Sequence, residues 1–206
     1  MPTTWQRRIE RAQELAKESP VLPELLDFYE QIARFQSGVA EGRTPANMET
    51  LLALIRRTAS GASADPMHAF FARVLSQASA AERSDPSAAG AIQPRCPCCA
   101  EKPVAAVLRP VRFLLCGLCF TEWEDRRHGC PNCGEADMDK LRFYTDEEFP
   151  HIRVEACRTC RVYLKAIDLT SNARAVPEVD ELASVTLDLW AAEHGYTKLQ
   201  PNLFGL

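Results

Sequence analysis

The chain has 206 residues, 46% hydrophobic and 25% charged, with a formal net charge of −4. These proportions are ordinary for one large globular domain or two small ones, and the acidic balance argues against nucleic acid as the main partner, because such binders carry a basic excess. No apolar run approaches the ~20 residues that a membrane span needs, and the opening MPTTWQRRIE lacks the apolar core of an export signal, so the expectation is a cytoplasmic protein with no membrane partner.

The first ~80 residues read as helical. Thr3 or Thr4 can cap a helix running to about Glu18, with Ile9, Ala12, Leu15 and Ala16 on one face. Pro23 suits the first turn of a second helix, whose wide apolar face holds Leu25, Leu26, Phe28, Tyr29, Ile32, Ala33 and Phe35 before a stop at Gly38. Asn47 can cap a third helix, with Met48, Leu51, Leu52, Leu54 and Ile55, ended by Gly61. Asp65 followed by Pro66 opens a fourth, striped by Phe70, Phe71, Val74 and Leu75. Each stripe reads as core.

This gives a small helical domain over 1–78 and a linker over 79–95, where small, polar and proline residues show no periodicity. All nine cysteines then fall between Cys96 and Cys160, among β-rich runs at 104–108, 111–115, 140–144, 152–156 and 162–169. Residues 171–206 are expected to hold one helix after Pro177, with Leu182, Val185, Leu189 and Trp190 inward and Gly195 at its end, followed by an irregular tail.

Eight cysteines form four pairs, Cys96/Cys99, Cys116/Cys119, Cys130/Cys133 and Cys157/Cys160, separated by 16, 10 and 23 residues. Two cysteines three apart on a tight turn can both reach one ion, and a tetrahedral site needs two such knuckles. The gaps of 16 and 23 suit hairpins that return the second knuckle; the gap of 10 suits a connector. First with second and third with fourth is the pairing this favours, and a cross-braced arrangement stays open. Proline follows Cys96 and Cys130, and Gly134 offers a positive φ after Cys133. Four unligated thiol pairs would not repeat this pattern, and a thioredoxin-like redox motif wants a single pair in a βαβ context.

The expected class is therefore α+β: the helical domain, two rubredoxin-like (zinc-ribbon-like) metal modules at 96–129 and 130–170, and a C-terminal helix. Two divalent ions in four-thiolate sites would take the chain from −4 to about −8, and Arg95, Arg112, Arg126, Arg127, Arg158, Arg161 and Lys165 are the cations at hand. Cys98 reads as an unused thiol, and His68, His128, His151 and His194 as non-ligands. There is no nucleophile elbow, phosphate-cradling glycine loop or HExxH, and four thiolates close a site to substrate, so the expectation is a protein that is not an enzyme.

The cysteine-bearing half resembles the FdhE family, accessory proteins of formate dehydrogenase maturation. The resemblance rests on CPCCAEKPVA at 96–105, LLCGLCFTEWEDRRHGCPNCG at 114–134, RVEACRTCRVYLKAIDL at 153–169, LASVTLDLWAAEHGY at 182–196 and the closing PNLFGL. LLDFYEQIARFQ at 25–36 is similar to that family's helical region more weakly. The resemblance implies two rubredoxin-like modules behind a helical domain, iron as the metal where zinc is the other candidate, and the catalytic subunit of formate dehydrogenase as partner. The chain departs from the pattern at Cys98-Cys99-Ala100 and in a shorter N-terminal region.

Within the most specific run, residues 121–127 are expected to lie between the modules and carry recognition through Glu122, Trp123, Arg126 and Arg127. Tryptophan and arginine combine buried area with hydrogen-bonding ends and are enriched at binding hot spots. Trp123 as an internal plug, with the arginines neutralising thiolates, is the competing reading. An electron carrier and a nucleic-acid-binding zinc-ribbon protein are the alternative functions.

Overall fold

The computed structural model describes residues 4–18, 23–43, 66–81, 93–126 and 128–206. The expected third helix, at 47–61, and Arg127 lie outside them. The chain divides into a unit over Met1–Arg83 and a second over Ser84–Leu206.

In the first unit, α1 (Thr4–Glu18), α2 (Pro23–Ala40) and α3 (Pro66–Ala81) are the described helices, and α2 packs against both others. Leu26, Tyr29, Ile32 and Ala33 bury the expected face of α2, while Phe28 stays exposed and stacks on Phe70 at 6.1 Å. Polar ties set the register: Gln13 Nε2 donates to Glu30 Oε1 at 2.9 Å, and Gln36 Nε2 donates to Val74 O and Gln77 Oε1, both at 3.0 Å. The buried face of α1 differs from the apolar reading. It holds Trp5, Arg8, Arg11 and Ala12, with the Arg8 guanidinium 4.4 Å from the Trp5 ring. A guanidinium stacked on an indole is hydrated weakly enough to be buried with it. Ser79, Ala80 and Ala81, placed in the linker by composition, are helical.

The second unit is built on one sheet: β1 (Pro103–Leu108), β2 (Arg112–Cys116), β3 (Glu122–Glu124), β4 (Leu141–Thr145), β5 (Ile152–Cys157) and β6 (Val162–Asp168), in the order β3-β2-β1-β6-β5-β4. β7 (Thr197–Lys198) adds to β6 in parallel. Two repeats of one plan are visible. Each has a knuckle, an antiparallel hairpin, a second knuckle at the end of the hairpin, and a third strand. The repeats fuse where β1 pairs with β6 in parallel, Ala105 opposite Lys165 through Leu108 opposite Asp168. Of the stretch expected between the repeats, Glu122–Glu124 form a strand of the first repeat, and Asp125 and Arg126 lead from it toward the knuckles of the second. β3 forms the outer edge of the sheet, and the fusion is made by β1 and β6, whose Ala105, Ala106 and Ala166 are fully buried.

Val107, Leu115, Ile152, Val154, Ala156, Tyr163 and Ile167 form the main core with Ala175, just ahead of the C-terminal helices, and Leu187 and Ala191 from them. Where one helix was expected there are two, α4 (Pro177–Ala183) and α5 (Val185–Glu193), broken at Ser184. The break phases the inward face of α5 onto Leu187, Asp188 and Ala191, and Leu189, expected inside, is 60% exposed. Its cause lies in the sheet. Lys165, fully buried on β6, donates from Nζ to the carbonyls of Glu181 and Ser184, the latter at 3.2 Å, and so holds backbone oxygens that a continuous helix would use. The Ser184 hydroxyl bonds back to Asp180 O at 2.9 Å.

Around Lys165 lies a buried charge cluster. Its ammonium pairs with Glu181 Oε1 at 3.0 Å and Asp188 Oδ2 at 2.6 Å; Lys198 pairs with Glu181 and with Asp188 Oδ1 at 3.0 Å; Tyr163 OH donates to Asp188 at 2.7 Å and Asn202 Nδ2 to Glu181 Oε2 at 3.1 Å. Burial lowers the Lys198 pKa, but Glu181 and Asp188 outweigh it and hold it above its ordinary 10.5. Burial first, then the Asp188 charge, raises the Tyr163 pKa above its ordinary 10. A raised lysine stabilises the fold fully below pH 10.5 and loses that contribution as pH climbs through the folded value. A raised tyrosine penalises the fold once the unfolded chain ionises above 10. The melting temperature, followed by circular dichroism, is expected to fall as pH rises beyond about 10. A midpoint unchanged to about pH 11.5 would show that the cluster does not contribute in this way.

Candidate metal centres

Each knuckle is a tight turn whose backbone is fixed by its own amides. Ala100 N bonds Cys96 O, Gly134 N bonds Cys130 O and Arg161 N bonds Cys157 O, each at 2.9 Å. Cys96 N reaches Glu101 O and Cys130 N reaches Glu135 O at 2.8 Å, and Cys116 N reaches Thr121 O at 3.0 Å. The residue after the second cysteine has positive φ in all four turns: Ala100 61°, Phe120 58°, Gly134 76° and Arg161 59°. Only Gly134 signals this in the sequence. A non-glycine there costs about 1–2 kcal/mol, so three of the four turns are held against local preference. The turn also brings N–H groups to sulfur: Cys98 N lies 3.4 Å from Cys96 Sγ and Leu118 N 3.4 Å from Cys116 Sγ.

The eight paired cysteines converge in two groups, Cys96/Cys99/Cys116/Cys119 and Cys130/Cys133/Cys157/Cys160, with the sulfurs of each within 4.8 Å of one another. The pairing is first knuckle with second and third with fourth; the cross-braced alternative is excluded. Each group consists of cysteines alone. In the first, Cys96–Cys119 is 3.5 Å, Cys99–Cys116 3.3 Å and Cys99–Cys119 3.6 Å; in the second, Cys130–Cys160 is 3.6 Å and Cys133–Cys157 3.7 Å. Sulfurs at 2.3 Å from a tetrahedral ion stand about 3.8 Å apart, so the donor sets fit one ion each.

The electrostatics point the same way. Burial pushes the Cys96 thiol up to about 12 and raises Cys130. Cys116, raised itself, hydrogen-bonds Cys119 and holds it down at about 4. In the second group burial raises Cys160, but the Asn132 side chain and Val162 N–H carry it down to about 7. Without a cation, Cys119 and Cys160 are thus the readiest to carry negative charge while burial favours the protonated forms of Cys96 and Cys130; a bound cation allows all four of a tetrad to ionise. All-sulfur tetrahedral sets suit zinc and iron alike.

The remaining candidates fall differently. Trp123 is fully buried, and its Nε1 donates to Gln93 O at 2.7 Å, pinning the segment that leads into Cys96. Glu122 is half-buried and paired with Arg109 at 2.7 Å. Arg126 is exposed and, with Asp125, Gln93 and Pro94, lines a groove of 290 Å³ against Cys130, Asn132 and Cys133. Sequence reasoning did not single out Arg112 as a tie between repeats: it is buried, pairs with Asp125 on the connector, and reaches Glu155 on β5 at 2.8 Å. A lone arginine opening a strand carries no signal of such partners.

A helical unit followed by one sheet bearing two all-cysteine tetrads defines a protein with paired four-thiolate metal centres. Residues 95–127 match the FdhE central domain and residues 129–204 the FdhE C-terminal domain. Through these residues the chain belongs to the FdhE family. It is 38% identical over 116 residues to the protein FdhE homolog of Aquifex aeolicus, covering 53% of this chain and 41% of the relative, and 36% identical over 117 residues to that of Haemophilus influenzae (strain PittEE), covering 53% and 38%. The matched region thus spans about two fifths of these curated relatives. The crystal structure of the FdhE protein from Pseudomonas aeruginosa shares the fold over 98% of this chain and 96% of that one, with a TM-score of 0.75 at 23% identity. Among the described residues no helix is long and apolar enough to cross a membrane.

Proposed function

We propose that this chain is an accessory protein for maturation or activation of formate dehydrogenase, acting in a chaperone-like way by binding the enzyme's catalytic subunit in the cytosol. The observation that carries the reading is FdhE family membership across both tetrads. Four thiolates fill a tetrahedral ion's coordination and leave no position for substrate, which supports a binding role over catalysis. In this reading the modules at 96–129 and 130–170 are rigid metal-stapled platforms, each holding one ion, and iron is favoured over zinc on the family resemblance alone. Recognition is assigned to Arg126 and Arg127, with Glu122 on β3 and Trp123 holding the segment from inside. A rubredoxin-like electron carrier is the second reading; the exposure of Cys133 favours it, and a reversible one-electron couple on an iron-loaded sample would establish it.

The test is a double Arg126→Ala, Arg127→Ala change. The variant is expected to stay folded with both metals while losing the catalytic subunit of formate dehydrogenase in a pull-down. Retained capture by a folded, metal-loaded variant would remove these arginines from recognition. Loss of metal would instead support neutralisation of the thiolates.

A further inference from the structure

The two tetrads share a plan but not an environment. In the first, Cys96, Cys116 and Cys119 are all buried and Cys99 is half-buried. The Thr121 hydroxyl lies 3.1 Å from Cys119 Sγ, and the strand after it is anchored by Trp123. In the second, Cys130 and Cys157 are buried with Leu141, but Cys160 is half-buried and Cys133 is exposed. The knuckles of this second tetrad are clasped across an exposed hydrogen bond, Thr159 Oγ1 to Glu135 Oε2 at 2.6 Å. The 290 Å³ groove lined by Arg126 also runs along Cys130 and Cys133. One tetrad thus has three of its four cysteines buried and none exposed, and the other has an exposed cysteine at the wall of an open groove.

We propose that the second centre is the exchangeable one: its metal is loaded and withdrawn through this groove by a soft anionic donor, a small thiol or a metal carrier's thiolate, while the first centre is closed and structural. Ligand exchange at sulfur needs a path for the incoming donor to the metal, and access limits thiolate chemistry as firmly as acidity does. Exchange starts at Cys133, the ligand that can swing into solvent without opening the core. The incoming thiolate forms its sulfur–metal bond as the Cys133 sulfur–metal bond breaks. The metal keeps its oxidation state, and Cys133 leaves as a thiolate or takes the proton that an incoming thiol gives up. Arg126 supplies the positive charge at the groove that draws an anionic donor toward a centre of net negative charge. The inference concerns the metal centres alone and stands whichever partner the protein holds.

The experiment uses the full chain loaded with zinc and challenged with an anionic dithiol, 2,3-dimercaptopropanesulfonate. Metal release is followed over time, and samples are alkylated with iodoacetamide for mass spectrometry. One equivalent is expected to leave at least roughly tenfold faster than the other. Cys133 and Cys160 should be labelled with the first equivalent, and Cys96, Cys116 and Cys119 only with the second. Release in a single phase, or labelling of the first tetrad together with or before Cys133, would overturn the proposal. Arg126→Glu tests the route without touching a ligand. It is expected to slow the fast phase several-fold and leave the slow phase unchanged, and an unchanged fast phase would overturn the role of the groove.

Discussion

Removing both metals from the protein is expected to unfold the sheet of the second unit. Binding of a structural zinc ion by cysteine ligands is worth roughly 10–16 kcal/mol in small peptides at neutral pH, against a total stability of about 5–15 kcal/mol for a typical domain. Each hairpin here is closed by its tetrad: β1 and β2 lie between the knuckles of the first, β4 and β5 between those of the second. Stripping the ions leaves four sulfurs crowded in each place, with burial opposing ionisation of Cys96 and Cys130. Three knuckle residues, Ala100, Phe120 and Arg161, then remain at positive φ without a metal to fix their turns. Because β1 and β6 join the repeats, loss of one hairpin exposes the fused edge of the other. Hydrogen exchange on chelated protein should show lost protection in β1, β5 and β6, and a much smaller change in α1 and α2, which contain no cysteine. Serine at Cys130 or Cys133 should do the same locally, loosening the chain through Cys157. Native protection in metal-free protein would show that the apolar core alone carries the fold.

Lys165→Ala is expected to cost about 3–5 kcal/mol, the range for breaking a buried ion pair by removing one partner. The ammonium is fully buried and serves two carboxylates and two carbonyls. Its loss leaves Glu181 and Asp188 to share Lys198, and takes one donor each from the carbonyls of Glu181 and Ser184, which keep the Ser184 hydroxyl and the Leu187 N–H. Truncation of the exposed Lys140, which pairs with Glu135 at 3.4 Å, should cost under about 1 kcal/mol. Urea unfolding of the two variants measures the difference. A Lys165 variant within about 1 kcal/mol of the parent would mean that the helices at the C-terminus are held by apolar packing alone.

The metal sites were legible in the sequence because their constraint is local. A cysteine three residues from another, with proline or glycine beside it, already defines a turn, and gap length then selects which turns meet. Five of the seven described strands were visible for a similar reason, as short β-rich runs between knuckles. β3 was not, since Glu122, Trp123 and Glu124 alternate in a run too short and too charged to stand out. β7, at Thr197 and Lys198, was equally silent.

The features that escaped depend on distant partners. The helix break at Ser184 follows from an ammonium carried on β6, and a helix pattern read alone has no term for it. Burial of Arg8 follows from a neighbouring indole, and the fusion of the repeats follows from the alanines of β1 and β6 coming together. Trp123 shows the same limit from another side. Its size and polar end fit a hot spot and a core plug equally well, and only its full burial with Nε1 on Gln93 O separates the two.

The central claim is that this chain holds two ions, each by four cysteine sulfurs. Elemental analysis of purified protein combined with X-ray absorption at the metal edge tests it most directly. The expected result is two metal ions per chain with a first shell of four sulfurs around each. A single ion per chain, or nitrogen or oxygen in the first shell, would contradict it.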